Sequence, residues 1–262
     1  MKNFFAEVYN NMIEPTVPRT WKDLQKNVAR ILSESGFVAA TPKVVTTVRG
    51  EVEIDVFAED HSVKPVTTYF CECKHWKMAV PKSVVHGFRT VMDDYGANWG
   101  LIISSKGFQS GAYEASKNSN TKLLDWVEFQ NLFVERWYSN CFLEIYTDVQ
   151  PLIDYTEPMN VRIFKKADLL SPEKQEKFRS LRAEYMGIAF LVSHLCAPWH
   201  REGWKAIPSL PLSNEQRLYS LTQNYLPKDV LEPIFFRELL DNLLQHIRRG
   251  IAEFDEVFGE RA

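Results

Sequence analysis

The sequence has no apolar run long enough to cross a bilayer, although 45% of its 262 residues are hydrophobic. A spanning helix needs about 20 consecutive apolar residues. The first ten residues include Lys2 and Glu7 among scattered apolar side chains. They lack the continuous apolar segment and small-residue cleavage site of a secretory signal. We therefore expect a globular protein in the cytoplasm, with no membrane partner.

Cysteine is scarce, and its spacing does not match a structural zinc site. Cys71 and Cys73 are separated by one residue, and no second pair with ligand spacing accompanies them. The remaining two cysteines are isolated from each other in the second half of the chain. We expect reduced, buried thiols.

An excess of positive charge is also missing, since the formal net charge is −3. Residues 16–138 carry 15 Lys and Arg against 14 Asp and Glu, whereas residues 139–262 carry 15 against 18. This balance excludes a strongly basic protein that binds any polyanion. If nucleic acid is the substrate, its basic contacts must be clustered locally.

Two short segments do carry a pattern that predicts chemistry. In an extended strand through residues 67–74, Glu72 and Lys74 share one face, because alternate side chains point the same way. The alternating segment 51–59 contains Asp55, and pairing of the two strands can bring Asp55 beside Glu72 and Lys74. Two carboxylates suit Mg²⁺, and a neighbouring lysine can orient water or offset phosphate charge. The pattern indicates metal-assisted phosphodiester hydrolysis.

The order of the surrounding elements decides how this pattern is interpreted, because Glu-x-Lys alone also fits the solvated face of an antiparallel strand. Thr20 begins a helix that ends at Gly36 and carries Gln25 at the border of its apolar stripe. Three β-branched runs follow and predict an antiparallel meander. A helix beginning at Pro81 and an apolar strand over 100–104 come next, and further helices and strands then alternate.

This element order and its local motifs resemble the Mrr-like restriction endonucleases of the PD-(D/E)xK nuclease superfamily over residues 16–138. The motifs are Leu24-Gln25, Gly36-Phe37, Val52-Glu53-Ile54-Asp55-Val56, Cys71-Glu72-Cys73-Lys74-His75-Trp76 and Ile103-Ser104-Ser105-Lys106-Gly107-Phe108. The resemblance implies an α/β fold with a mixed central sheet flanked by helices. It also implies a Mg²⁺-dependent deoxyribonuclease in which Mn²⁺ can substitute.

The resemblance assigns roles residue by residue. Asp55 and Glu72 are expected to bind the metal together with the backbone carbonyl of Cys73, and Lys74 to position or activate the attacking water. Gln25 stands where most relatives have glutamate, which removes one negative charge. The candidate contacts to the DNA backbone, for which ordinary surface charge is the alternative, are Lys77, Lys82, His86 and Arg89.

The second half predicts helices but no chemistry of its own. A strand is predicted over 141–147, and Ser171-Pro172 begins a helix with apolar residues at steps of three and four. Another helix is predicted from 213 to 225, and a last one from about 233 with a broad apolar face. These faces either close a helical bundle or form a surface for self-association or another subunit. The predicted organisation is an arm over 1–15, a nuclease domain over 16–138, a connector over 139–160 and a helical domain over 161–262.

Two classes of function remain open from the sequence. The first is a DNA endonuclease in restriction or antiphage defence, acting as a homo-oligomer or as a subunit of a larger complex through its C-terminal helices. The second is a non-catalytic module that retains the nuclease fold and binds nucleic acid or protein, which the substitution at Gln25 favours. A nuclease acting on RNA or branched DNA is a variant of the first.

Overall fold

A computed structural model of the chain describes residues 12–196, 207–214 and 225–259. The chain divides into two compact units. The sheet unit comprises Pro15–Trp137, and the helical unit comprises the described residues before Pro15 and from Tyr138 onward. The division falls within one long helix.

The sheet unit contains seven strands and the first helices. Its elements are α1 (Trp21–Glu34), β1 (Val38–Ala40), β2 (Lys43–Thr47), β3 (Gly50–Ile54), β4 (Val56–Asp60), β5 (Thr67–Lys74), α2 (Lys82–Tyr95), β6 (Trp99–Ser104), α3 (Ser110–Ser116) and β7 (Thr121–Leu124), and α4 (Trp126–Asp148) begins in it. The helical unit adds α5 (Gln150–Thr156), α6 (Val161–Asp168), α7 (Pro172–Leu195), a 3₁₀ turn (Leu212–Asn214), α8 (Lys228–Leu231) and α9 (Phe236–Phe258).

Helix α1 begins and ends where the sequence predicts. Thr20 accepts a hydrogen bond from the Asp23 amide, and the Asp23 carboxylate accepts one from the Thr20 amide, which completes a capping box. Gly36 adopts a positive φ of 82° directly after the helix, a conformation that glycine takes without a steric penalty. The helix buries its apolar residues, and Gln25 is buried with them.

The central sheet is mixed and has the strand order β1-β4-β5-β6-β7. Strands β1, β4 and β5 pair antiparallel, and β5, β6 and β7 pair parallel. Helices supply the crossovers between the parallel strands, as this topology requires. Phe57, Phe70 and Ile102 are buried from these strands, and Phe88 from α2 packs in the same apolar cluster. The expected α/β fold with a mixed central sheet flanked by helices is therefore confirmed.

The three-stranded meander is only partly correct. Strands β2 and β3 form a separate two-stranded sheet, in which Lys43 pairs with Ile54. Asp55 interrupts the strand that was expected to run through it, and β4 resumes at Val56 in the main sheet. Strict alternation also fails in β4, where Val56 and Phe57 are both buried. The main sheet is covered on both faces there, so neither face selects polar side chains.

One ion pair joins β4 to helix α4 inside the sheet unit. The Arg136 guanidinium donates to both carboxylate oxygens of Asp60, and its Nε donates to the Ser35 carbonyl at 2.8 Å. The Asp60 side chain is only 6% exposed. The Arg136 hydrogen bonds hold the pKa of Asp60 well below its usual range, with Ser62 contributing further hydrogen bonds.

The helical unit is a bundle built on α7 and α9. Helix α7 buries the residues at the predicted steps of three and four, and α9 buries its predicted apolar face, so these two predictions are confirmed. Aromatic rings of α5, α7 and α9 meet in the core: Tyr155 stacks on Phe254 with ring centroids 4.6 Å apart, and Phe178 lies edge-on to Phe258 at 5.5 Å. Met12 accepts a hydrogen bond from the first residue of α9, Phe236. Much of each apolar face is therefore used within this unit.

The strand expected over 141–147 is wrong, because α4 continues through this segment. Buried side chains recur at helical spacing along α4, and proline first interrupts the pattern at Pro151. The helix expected from 213 to 225 and most of the arm over 1–15 lie outside the described residues. Within the described ranges, no helix combines the length and apolarity needed to cross a membrane.

The close packing of β6 on α2 gives a first prediction. A Cβ atom added at Gly100 would lie 2.2 Å from Met92 Sδ and 2.6 Å from Phe88 Cε1, so Gly100→Ala should lower the free energy of unfolding by about 1–3 kcal/mol. The control is Gly87→Ala in α2, where a Cβ would meet no atom within 4 Å and alanine should stabilise the helix by about 0.5–1 kcal/mol. Urea unfolding of the full chain measures both, and equal effects would contradict this packing.

The Asp60–Arg136 pair predicts a dependence of stability on pH. The folded-state pKa of Asp60 is depressed, so its contribution is complete above the unfolded-state pKa, near 3.9, and is lost as the pH falls through the folded-state value. Asp60→Asn should lower the free energy of unfolding by about 3 kcal/mol at neutral pH. The difference from wild type should shrink as the pH is lowered from about 5 to 3. Asp93→Asn, on the exposed side of α2, is the control, and a difference that is constant with pH would refute the assignment.

Candidate active site

The candidate site lies where the chain passes from the small sheet to the main sheet. Strand β3 ends at Ile54 and β4 begins at Val56, which pairs with Cys71 of β5. Extending this antiparallel register by one residue places Asp55 opposite Glu72. The sequence prediction that the two segments bring these acids together is therefore supported by the strand register.

The Asp55 carboxylate is held on both oxygens. Gln25 Nε2 donates to Oδ1 at 2.7 Å, and the Cys73 amide donates to Oδ2 at 2.8 Å. Thr41 Oγ1 donates to the Asp55 backbone carbonyl at 2.7 Å, which fixes the main chain at the same point. Gln25 thus contacts Asp55 directly. Thr41 was not indicated by any pattern in the sequence.

Glu72 and Lys74 form an ion pair on one face of β5, as the alternation predicts. Their side chains are 23% and 18% exposed, so both lie mostly out of water. Burial raises the pKa of Glu72, and the charge of Asp55 raises it further, while Lys74 acts in the opposite direction. The single lysine compensates the two acids only in part.

Cys73 contributes its backbone rather than its thiol. Its amide points toward Asp55, whereas the carbonyl of the next residue, Lys74, accepts from the Ser105 amide on the β6 side. Because the carbonyl directions of successive strand residues alternate, the Cys73 carbonyl points to the Asp55 side. The Cys71 and Cys73 thiols are buried and burial raises the pKa of both, so neither is suited to nucleophilic work.

This donor set fits a hard divalent cation. Asp55 directly precedes β4 and lies opposite Glu72 in the extended register, and the Cys73 carbonyl points to the same side. Burial raises the pKa of Glu72 most, and the charge of Asp55 raises it further. In the described part of the chain, no group of three or more His, Cys, Asp or Glu side chains is placed to bind a metal. The fit is therefore to an ion such as Mg²⁺, which keeps water or phosphate in much of its shell, and not to a closed structural site.

The four candidate DNA contacts fall into two groups. Lys77, Lys82 and His86 are exposed on the loop after β5 and on α2. Arg89 instead donates to the Ala115 carbonyl at 2.9 Å, a contact that packs α2 against α3. Arg89 thus already has a structural contact within the fold.

One side chain beside the site was not singled out from the sequence. Trp76 follows Lys74 by two residues, and Lys74 Nζ lies 5.3 Å from the centroid of its ring. This distance is within the range of a cation–π interaction. The available signal was the position of an aromatic residue directly after the Glu-x-Lys strand.

A mixed sheet that carries an aspartate at a strand break and Glu-x-Lys on the next strand defines a restriction-endonuclease-like fold. Residues 19–133 match the family model Mrr_cat, which is described as a restriction endonuclease. The resemblance to the Mrr-like restriction endonucleases drawn from the sequence is therefore confirmed over this range.

The other comparisons add little to this assignment. A crystal structure described as a protein of unknown function, AF1548, is 15% identical with a TM-score of 0.37, covering 78% of this chain and 97% of that one. A likeness at that level carries no argument about fold or function. No curated protein matches the chain.

The contact between Gln25 and Asp55 gives a third prediction. Gln25→Glu places a third carboxylate beside Asp55 and Glu72, so it should lower the melting temperature in EDTA through like-charge repulsion. Millimolar Mg²⁺ or Mn²⁺ should then raise the melting temperature of this variant more than that of wild type, because binding to the folded state stabilises it. Gln245→Glu, at an exposed position of α9, is the control. An equal metal response in all three proteins would refute the role of Gln25.

Proposed function

We propose that the protein is a Mg²⁺-dependent endonuclease that hydrolyses DNA phosphodiester bonds. One observation carries the proposal: Asp55, the Cys73 carbonyl and the Glu72–Lys74 ion pair converge at one strand end, with the Asp55 carboxylate fixed by two hydrogen bonds. The domain that holds them is of the restriction-endonuclease type.

Each residue has a distinct part in this reaction. Asp55, Glu72 and the Cys73 carbonyl would hold the metal, with Gln25 orienting Asp55. A divalent cation bound there supplies Lewis-acid polarisation of the phosphate and stabilises charge on its oxygens. Lys74 lies within reach of the same volume through its contact with Glu72, so its ammonium would position the attacking water and offset the developing negative charge.

The supply of positive charge around the site supports a polyanionic substrate. Lys77 and Lys82 are exposed close in sequence to the Glu72–Lys74 strand, although the net charge of the chain is −3. Phosphate contacts of this kind position a nucleic acid without reading its sequence. These two lysines are the basic side chains that we propose to contact the phosphates.

Within this proposal, the protein acts in restriction or antiphage defence and its activity depends on assembly. Cleavage of both strands of a duplex needs two sites, and the described residues of one chain provide one candidate site. Exposed apolar side chains of the helical unit, including Leu143 and Phe190 at 55% and 53% exposure, support a contact with a second copy or a defence subunit.

The fourth prediction tests catalysis directly. Asp55→Ala and Lys74→Ala should each reduce cleavage of plasmid DNA in Mg²⁺ by at least about 100-fold, because one removes a metal ligand and the other the cation that positions water. The fold should remain, as judged by circular dichroism. Lys122→Ala, at an exposed position of β7, is the matched control for loss of a cation.

The same assay separates the catalytic from the non-catalytic function. Undiminished cleavage by both variants would refute the assigned residues. A wild-type protein that binds no Mn²⁺ and cuts no plasmid, linear, single-stranded DNA or RNA would instead support the non-catalytic module that Gln25 favoured. Cleavage of RNA or branched DNA alone would keep the site but change the substrate.

A further inference from the structure

We propose that Trp76 is a stacking platform for an unstacked nucleobase beside the scissile phosphate. This inference rests on the proposed nuclease function and specifies its substrate class. The substrate would be DNA that offers an unpaired base, either in a single strand or at an unpaired position in a duplex.

The indole of Trp76 lies beside the amine of Lys74. Lys74 Nζ lies 5.3 Å from the Trp76 ring centroid. An aromatic ring is therefore present next to the ammonium group that we propose to position the attacking water and to offset the charge of the phosphate. The Trp76 side chain remains 43% exposed. More than half of this residue is covered by the fold, and the remaining exposed part of the large apolar side chain is available to a ligand.

The loop that carries Trp76 is held in place by hydrogen bonds to the loop after β6. Ser105 Oγ donates to the Trp76 carbonyl at 3.3 Å. Beyond it, the Val80 amide donates to the Gly107 carbonyl, and the Gln109 amide donates to the Val80 carbonyl, both at 3.0 Å. These bonds tie the loop after β5 to the loop after β6. A rigid loop presents the ring with a small loss of conformational entropy on binding.

The loops after β5 and β6 carry lysines and no acidic side chains. No Asp or Glu occurs from residue 73 to 92 or from 95 to 113, so both loops are free of acidic side chains. Exposed lysines lie on them and at the start of α2: Lys77, Lys82 and Lys106. Proteins that hold single-stranded nucleic acid combine positively charged side chains, which contact the backbone, with aromatic rings, which stack on bases. The two loops supply both kinds of side chain.

Stacking requires a base that has left its neighbours. Within a continuous duplex every base face is covered by the adjacent pairs, and a side chain reaches such a face only after unstacking, which costs a few kcal/mol. A single strand or an unpaired nucleotide presents that face at lower cost. Lys77, Lys82 and Lys106 would still contact the phosphates of a perfect duplex, but Trp76 would contribute little to that complex.

The fifth prediction is tested by DNA binding without cleavage, in EDTA, using the full-length protein. The probes are a single-stranded oligonucleotide with 2-aminopurine, the matching perfect duplex, and a duplex with the 2-aminopurine left unpaired. The variants are Trp76→Leu, which keeps an apolar side chain without a ring, and Trp76→Phe, which keeps a ring. The control is Trp99→Leu: Trp99 is 38% exposed and lies at the opposite end of the parallel β5–β6 pair, since Tyr69 pairs with Trp99 and Lys74 with Ser104.

Trp76→Leu should raise the Kd for the single strand about tenfold or more and abolish quenching of 2-aminopurine. Trp76→Phe should retain most of both signals, and Trp99→Leu should match wild type. Affinity for the perfect duplex should be nearly unchanged by any of the three. A response of the single strand alone would restrict the class to single strands, and an equal response of the unpaired duplex would include extruded bases.

Equal Kd values for Trp76→Leu and Trp99→Leu on every probe, or an equal loss on the perfect duplex, would overturn the inference. Neither result touches the proposed function, because binding in EDTA does not report catalysis. That function fails separately, if Asp55→Ala cleaves DNA as well as wild type does.

Discussion

The site depends on how one carboxylate is held at the end of a strand. Asp55 accepts hydrogen bonds from Gln25 and from the Cys73 amide, and its backbone carbonyl accepts one from Thr41. These contacts fix negative charge opposite Glu72, in a place where burial already raises the pKa of Glu72. Lys74 pairs with Glu72, and a divalent cation bound beside the two acids would offset their negative charge.

At Asp55 the chain passes from the small sheet to the main sheet. This passage explains why the sequence indicated that Glu72 and Lys74 share a face but did not indicate where the strands end. Glu72 and Lys74 share a face because of the two-residue period of a strand, which is local and visible in the sequence. The break at Asp55 depends on two sheets competing for one segment, since β3 pairs with β2 and β4 pairs with β1 and β5. Such long-range pairing leaves no periodic trace. Thr41 could not be found for the same reason, as its contact depends on the path of the chain between the sheets.

In the helical half, periodicity identified the buried faces of α7 and α9 but not the course of α4. Residues 141–147 contain aromatic and β-branched side chains that favour a strand locally, whereas the helical repeat of buried residues from Phe129 to Ile145 extends α4 through them. Tertiary burial overrode local preference there.

The strand ends of the sheet and the non-acidic loops beside them have different roles in the proposed function. Under the proposed function, the Asp55–Glu72 end of the sheet would supply reactivity, the lysines of the loops after β5 and β6 would supply affinity for phosphate, and Trp76 would select the state of the base. These parts are connected through the backbone: the Lys74 carbonyl accepts from the Ser105 amide, and Ser105 Oγ donates to the Trp76 carbonyl. Trp76 and Lys77 lie on the loop that directly follows the strand of Glu72 and Lys74.

The most direct measurement of the central claim is anomalous X-ray scattering from crystals of the protein grown with Mn²⁺. We expect one strong anomalous peak within about 2.1–2.2 Å of oxygens from Asp55, Glu72 and the Cys73 carbonyl, and its loss in Asp55→Ala. Absence of a peak between these oxygens, with manganese bound elsewhere or not at all, would contradict the account.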